Sequence, residues 1–98
     1  MRERDRNREP WSVRFSPIFE HAFWLAYDAD TALWDILDSF CDCLCFDPRS
    51  CGEQHPAKGG YWIYESPPIT RLPIIRVLYD IDDENGFVTL WSFYSKRT

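Results

Sequence analysis

The segment 74–94 constrains the fold more than any other part of the chain. Two runs rich in strand-forming residues, 74–81 and 87–94, flank the pair Asn85-Gly86. An Asn-Gly pair between two such runs is the usual signal of a tight β-hairpin. The C-terminal part of the chain is therefore predicted to form two antiparallel strands.

Helical patterns precede this hairpin. Ser16 is a good N-cap and Pro17 suits a first helical residue. Residues 17–27 are apolar on nearly every side, which predicts a largely buried helix. Asp30 can cap a second helix from Thr31 to about residue 45, with an apolar stripe at Leu33, Ile36, Leu37, Phe40 and Leu44. A break this short joins two antiparallel helices.

Two further strands are predicted at 11–15 and 61–64, because both segments are rich in apolar strand formers. Residues 48–60 have the composition of a loop, and residues 66–73 contain three prolines, which predict an irregular connection. The order β-α-α-β-β-β predicts an α+β fold, with a helical hairpin packed on one face of a four-stranded antiparallel sheet.

Charge divides the chain into two parts. Residues 1–10 hold four arginines, three acids and no apolar residue after Met1, which predicts a flexible charged arm. Residues 11–98 are predicted to form a single domain, with seven basic and thirteen acidic residues. An acidic domain argues against broad, charge-driven binding to nucleic acid.

The sequence has neither an apolar run of the ~18 residues that a membrane span needs nor the apolar core of a secretory signal. We therefore expect a cytoplasmic protein with no membrane partner. In that compartment the four cysteines are expected to be mostly reduced.

Residues 75–83 (IRVLYDIDD), followed by 88–90 (VTL) and 96–97 (KR), resemble the RelE/ParE superfamily of bacterial toxins from toxin–antitoxin pairs. Residues 13–16 (VRFS) before the helical hairpin and 47–49 (DPR) after it fit the same family. The resemblance follows the element order over 13–97 and is specific over 74–90.

The family implies two activities on one fold. RelE-like members are ribonucleases that cut messenger RNA on the ribosome, whereas ParE-like members poison gyrase. Both are neutralised by an antitoxin peptide wrapped over the sheet and helices. Under the ribonuclease reading, Arg76 would steady charge at the scissile phosphate, and Arg97 with Lys96 would follow the last strand.

Several features depart from the ribonuclease pattern. Trp62 and Tyr64 occupy the strand where the family carries lysines, and the chain ends at Thr98, before the expected C-terminal helix. We therefore predict a toxin-superfamily domain with weakened or lost catalysis that binds an antitoxin-like protein or itself. The alternative is an active endoribonuclease that uses Arg76, Lys96 and Arg97, although the acidic charge disfavours RNA or ribosome binding.

Two expectations concern the surroundings of Arg76. On a strand, Arg76 and Asp80 lie on the same face, so Arg76 is also explained as one half of an ordinary exposed ion pair with Asp80. The proline-rich segment 66–73 is expected to restrict access to the Arg76 face.

The cysteines suggest a second alternative, a metal-binding regulatory domain. The candidate ligands are Cys41, Cys43, Cys45, Cys51, His21 and His55. One-residue gaps inside a helix fit zinc poorly, since zinc cysteines usually lie two to four residues apart on turns. A disulfide between Cys51 and a helix cysteine is another alternative. Cys51 and His55 could also form a nucleophile and base pair, but the third group that would orient such a pair is not visible in the sequence. No cofactor is predicted.

Overall fold

A computed structural model describes residues 10–96. Nearly all of the predicted N-terminal arm, and Arg97, lie outside these residues. The elements in chain order are β1 (Ser12–Phe15), α1 (Pro17–Ala29), α2 (Leu33–Phe46), α3 (Pro48–Cys51), β2 (Glu53–Gln54), β3 (Tyr61–Glu65), β4 (Ile74–Asp82) and β5 (Phe87–Lys96). No helix of this described part is both long and apolar enough to cross a membrane.

The strands form one mixed sheet in the order β1-β5-β4-β3-β2. Strand β1 runs parallel to β5, and the other neighbours are antiparallel. The α+β fold is confirmed, but the prediction of four antiparallel strands was wrong in number and direction. The added strand, β2, comes from the predicted loop 48–60 and has only two residues, too few to show an alternating pattern.

The helices cover one face of the sheet. That face carries Ile75, Val77 and Tyr79 of β4, which alternate along the strand and are all fully buried. The apolar stripe of α2 is likewise buried at four of its five positions. The buried core consists of Phe19, Phe23, Leu33, Leu37, Phe40, Leu44, Ile75, Val77, Tyr79, Val88 and Leu90.

Ser16 fixes the point where the chain leaves β1 for α1. Its Oγ accepts a hydrogen bond from the Phe19 backbone N–H at 3.0 Å, which confirms the predicted N-cap. The same hydroxyl donates to the Trp91 carbonyl at 3.0 Å. Trp91 is the extra residue of a β-bulge, because Tyr79 pairs with Leu90 and Leu78 with Ser92. One serine therefore ties the start of α1 to the bulge in β5.

The predicted β4–β5 hairpin is confirmed, although its connection has four residues. Asp82 pairs with Phe87, and the Gly86 N–H donates to the Asp82 carbonyl at 2.8 Å. Gly86 has φ +75°, a left-handed conformation that glycine adopts without strain. Hydrogen bonds from the Asn85 side chain and backbone hold the pKa of Asp82 below its usual value.

The burial predicted for α1 was wrong. Only Phe19 and Phe23 are buried, whereas Ile18, Leu25 and Trp24 are 71%, 62% and 48% exposed. A helix that packs on one sheet buries a single stripe. The apolar residues on the far side of α1 have no layer above them in the described part of the chain.

Candidate functional site

The candidate site lies on the open face, which we define as the sheet face opposite the helices. Strand register places Arg76 near the start of β4, the middle strand of the sheet, opposite Glu65 of β3 and Tyr94 of β5. Lys96 pairs with Ile74, two positions along β4 from Arg76 and on the same face. The structure thus brings Arg76 and Lys96 to one surface, while Arg97 lies beyond the described residues.

Arg76 forms an ion pair with Glu65. The Arg76 Nη2 atom lies 3.4 Å from Glu65 Oε1, and the two side chains are 60% and 52% exposed. An exposed pair of this kind contributes little to stability. The expected partner, Asp80, instead accepts a hydrogen bond from Trp91 Nε1 at 3.1 Å. The expectation that Arg76 forms an exposed ion pair was therefore correct, but the expected partner was wrong. Glu65 takes the place of Asp80 because it lies directly across from Arg76 on β3.

A hollow of about 450 Å³ opens beside Arg76, and we call it the Arg76 hollow. One wall is the segment 50–54, which spans the end of α3 and all of β2, and the other is the edge of β3 with Arg76 behind it. Its lining includes Ser50, Cys51, Gly52, Glu53, Gln54, Pro56, Ile63, Glu65 and Arg76. The hollow therefore offers one guanidinium and two carboxylates to a ligand.

The proline-rich segment 66–73 lies elsewhere. Five of its residues line a mainly apolar cleft of about 280 Å³ together with Ile36 of α2 and Tyr64 of β3. Tyr64 lies on the sheet face that the helices cover, where its ring stacks on Phe40 of α2 at 4.0 Å between centroids. The expectation that this segment restricts the Arg76 face is therefore not supported, since it packs beside α2.

The residues that stand where the family has lysines also turn away from the open face. Trp62 pairs with Tyr79 and Tyr64 with Val77, both positions of the buried face. The β3 positions on the open face are Tyr61, Ile63 and Glu65, and none is basic. This strand therefore supplies no cation to Arg76.

The open face as a whole is mixed in charge. Its strand residues include the cations Arg14, Arg76 and Lys96 and the carboxylates Glu53, Glu65, Asp80 and Asp82. Sequence reasoning missed Arg14, although it alternates with Val13 and Phe15 on β1. Its guanidinium lies 3.5 Å from the centroid of the Phe87 ring. A surface of balanced signs gives no net attraction for a polyanion.

The cysteines form no recognisable metal centre. Cys43 and Cys51 are joined in a disulfide that links α2 to α3, with their Cα atoms 6.3 Å apart. The expectation of reduced cysteines was therefore wrong for this pair, and Cys41 and Cys45 are free thiols. Within residues 10–96, no group of three or more His, Cys, Asp or Glu side chains could hold a metal ion.

Two further candidates for thiol chemistry, Cys41 and His55, are respectively inert and occupied. Burial, followed by the nearby Cys45 and the aspartates of α2, raises the pKa of Cys41 to about 12. This thiol is therefore protonated and a poor nucleophile at neutral pH. The His55 Nδ1 atom accepts hydrogen bonds from the backbone N–H groups of Ala57 and Lys58 at 3.0 and 2.9 Å. His55 thus holds its own turn.

Comparison with known proteins agrees with this architecture. One chain of the toxin–antitoxin complex RelBE2 from Mycobacterium tuberculosis matches with a TM-score of 0.68 and 21% sequence identity, over 90% of this chain and 99% of that chain. The chain therefore shares the α+β fold of that chain, a RelE-like fold. No family model matches the sequence. No curated protein matches it either.

The RelE-like fold confirms the resemblance inferred from residues 74–90. The structure also contains two parts of the site that the sequence did not predict. The wall of the Arg76 hollow comes from α3 and β2, inside a segment predicted as loop, and the Glu65 partner depends on strand register. Neither feature leaves a periodic signal in the sequence.

Proposed function

We propose that this chain is a toxin-like domain of a toxin–antitoxin pair, that its catalysis is weakened or lost, and that it acts in the cytoplasm by binding a protein. The observation that supports weakened or lost catalysis is the Glu65 carboxylate, 3.4 Å from the Arg76 guanidinium on the open face. The RelE-like fold supports the toxin part of the proposal.

Phosphodiester cleavage builds negative charge on the phosphate oxygens, so a ribonuclease site needs fixed cations around the substrate. Here Glu65 competes with a phosphate for Arg76 and repels it. The neighbouring open-face positions supply Glu53 and Asp80 as well as Lys96. Each well-placed donor is worth roughly 10²–10³-fold in rate, so a site with so few would be slow.

An active endoribonuclease is the second candidate, because Arg76 and Lys96 share a face and a hollow of about 450 Å³ adjoins Arg76. Tyr94, opposite Arg76, carries a hydroxyl that could donate a proton. This candidate requires Arg76 to leave Glu65 when RNA binds.

The test is induction of the wild type, Arg76→Ala and Glu65→Gln in a bacterial host, with growth and ribosome-bound messenger measured together. We expect no growth arrest and no messenger cleavage from the wild type. Arg76→Ala should behave in the same way. Growth arrest with cut messenger in the wild type, relieved by Arg76→Ala, would establish the ribonuclease instead. Cleavage only in Glu65→Gln would identify Glu65 as the cause of the loss.

The partner is proposed to be a small antitoxin-like protein, as in the RelBE2 complex. The alternative is that the chain binds a second copy of itself. Purification of the tagged chain from its own cells, with mass spectrometry and light scattering, separates the two. If the chain is a monomer with no stoichiometric partner, the protein-binding proposal fails.

A further inference from the structure

The outer side of α1 carries a groove that no part of the described structure fills. It has a volume of about 390 Å³ and is lined by Pro17, Glu20, His21, Trp24, Leu25 and Asp28. Trp24 and Leu25 are apolar and exposed, and Ile18 extends the same helix surface. We call this surface the α1 groove. Exposed apolar groups gathered on one surface are typical of protein interaction sites.

Trp24 is packed against three other aromatic rings in the α1 groove. Its ring stacks on Trp34 of α2 at 6.0 Å between centroids, with an interplanar angle of 24°. Phe23 and Tyr27 contact it edge to face, at 5.0 and 5.4 Å. An aromatic side chain that is fixed before binding loses little entropy when a partner covers it. Trp24 therefore has the properties of a binding hot spot.

The rim of the α1 groove is acidic. Glu20 lies one helical turn before Trp24, and Asp28 lies one turn after it, so the three share a stripe. Residues 17–46, which include both long helices, contain six carboxylates and no lysine or arginine. A partner that fits must combine apolar side chains with positive charge.

Other occupants fit this charge poorly. In a two-fold dimer through this surface, each acidic rim would face its own copy, and like charges across an interface are destabilising. RNA and anionic membranes would be repelled for the same reason. An amphipathic helix with lysines or arginines beside its apolar stripe satisfies both requirements.

We propose that the α1 groove binds a cationic amphipathic helix of a partner protein. The apolar stripe of that helix covers Trp24 and Leu25, and its basic residues lie against Glu20 and Asp28. The inference rests on the proposed function in one respect, that the chain works by binding a protein. It adds the surface and the chemistry of the partner.

The first test uses the full chain and a labelled synthetic peptide, an amphipathic helix with leucines on one face and lysines beside them. A second peptide carries glutamates in place of the lysines. Fluorescence anisotropy should show binding of the cationic peptide and not of the anionic one. Equal binding of the two peptides, or of neither, would overturn the proposal.

Matched variants locate the peptide on the surface. Leu25→Glu should lower the affinity for the cationic peptide at least about tenfold, as expected for loss of an apolar anchor. Ile69→Glu makes the same change at an exposed position in the proline-rich segment and should leave the affinity unchanged. Ile18→Glu is a second groove variant in case Leu25→Glu does not fold. Equal effects of the groove and control variants would contradict the proposed location.

Charge is tested separately. The double variant Glu20→Gln/Asp28→Asn should lower the affinity for the cationic peptide several-fold. It should also make binding less dependent on salt, because rim charges mainly steer association. The control, Glu53→Gln/Glu84→Gln, removes the same charge far from α1 and should have no such effect. Equal losses in both would indicate a non-specific charge effect and overturn the acidic-rim argument.

Failure of this inference can be told from failure of the proposed function. If a small protein co-purifies equally with wild type and Leu25→Glu, protein binding stands and the α1 groove is the wrong surface. If none co-purifies with the wild type, the proposed function itself fails. A wild-type dimer that Leu25→Glu converts to a monomer would replace the cationic partner by a second copy.

Discussion

Tyr79 connects the core to the wall of the Arg76 hollow. Its hydroxyl donates to the buried Pro48 carbonyl at 2.9 Å, and its ring contacts Phe40 edge to face at 5.7 Å. Gly52 lies against the same hydroxyl, where an added Cβ would be 2.7 Å from the oxygen and would also meet the Ile63 carbonyl. Only glycine allows β2 to approach β3 this closely.

We predict that Tyr79→Phe lowers the free energy of unfolding by about 1–3 kcal/mol, because the Pro48 carbonyl loses its donor in a buried setting. Urea unfolding at pH 8, followed by circular dichroism, measures this. Tyr94→Phe, at an exposed position opposite Arg76, is the control and should change stability little. Similar stability of wild type and Tyr79→Phe would contradict the role given to this hydrogen bond.

The same residue predicts a pH dependence. Burial, with the Asp47 charge as a smaller cause, raises the pKa of Tyr79 to about 12, above the ordinary value near 10. A raised pKa in the folded state gives stability that is fully present below pH ~10 and is lost as pH rises toward 12. Tyr79→Phe should therefore lose less stability than the wild type over this interval. Parallel curves would count against the assignment.

At the scale of elements, three side-chain contacts hold α3 to the rest of the fold, and the pairing of β2 with β3 holds the residues that follow. The Cys43–Cys51 disulfide joins α3 to α2, and Tyr79 binds Pro48. Arg49 forms two hydrogen bonds to Asp83 in the β4–β5 turn, at 3.0 and 2.6 Å. These contacts fix the short segment that forms one wall of the Arg76 hollow.

Reduction of the disulfide should therefore weaken this segment. The two cysteines are eight positions apart, and a cross-link that closes so short a loop is worth about 2–3 kcal/mol in the chain-entropy account. We expect dithiothreitol to lower the free energy of unfolding by about that amount and to speed amide exchange over residues 48–54. The double variant Cys43→Ser/Cys51→Ser should not respond to dithiothreitol, and Cys41→Ser should respond like the wild type. Equal stability with and without reductant would refute the prediction.

The elements also show what sequence patterns can and cannot predict. The Ser16 cap and the α2 stripe follow from local physical chemistry, and both are confirmed. The pairing of β1 with β5 is not predictable in this way, since alternation within one strand says nothing about its neighbour or direction. The exposure of Trp24 was not predicted for a similar reason. Periodicity identifies apolar residues but does not show whether another layer of the protein covers them.

The candidate site divides in the same way. Parity alone places Arg76 on the face opposite Val77, and the structure agrees. The Glu65 partner needs the register between β3 and β4, and the disulfide needs a distance between Cys43 and Cys51 that only the folded chain defines. Contacts between elements are therefore the part that sequence reasoning could not supply.

At the scale of the whole molecule, two different surfaces lie on opposite sides of one sheet. The open face is polar and mixed in charge around Arg76, whereas the helical side exposes Trp24 and Leu25 within an acidic rim. The chain has a formal net charge of -5 at pH 7. Net charge of this kind keeps a protein with exposed apolar side chains monomeric through mutual repulsion.

The last prediction follows from this balance between charge and exposed apolar surface. As pH falls from 7 toward the isoelectric point near 4.8, the net negative charge approaches zero and repulsion between copies disappears. The exposed apolar residues of the α1 groove can then meet between molecules, so we expect a monomer at pH 7 and larger species near pH 5. Size-exclusion chromatography with light scattering measures both.

Two variants with the same net charge separate this cause from general loss of solubility. Leu25→Glu places a polar group in the α1 groove and should reduce association near pH 5, whereas Ile69→Glu should associate almost like the wild type. Because both variants gain one carboxylate, any difference between them comes from position and not from total charge. Equal association of the two would show that the α1 groove does not drive it, and the acidic rim would then have no part in keeping the molecules apart.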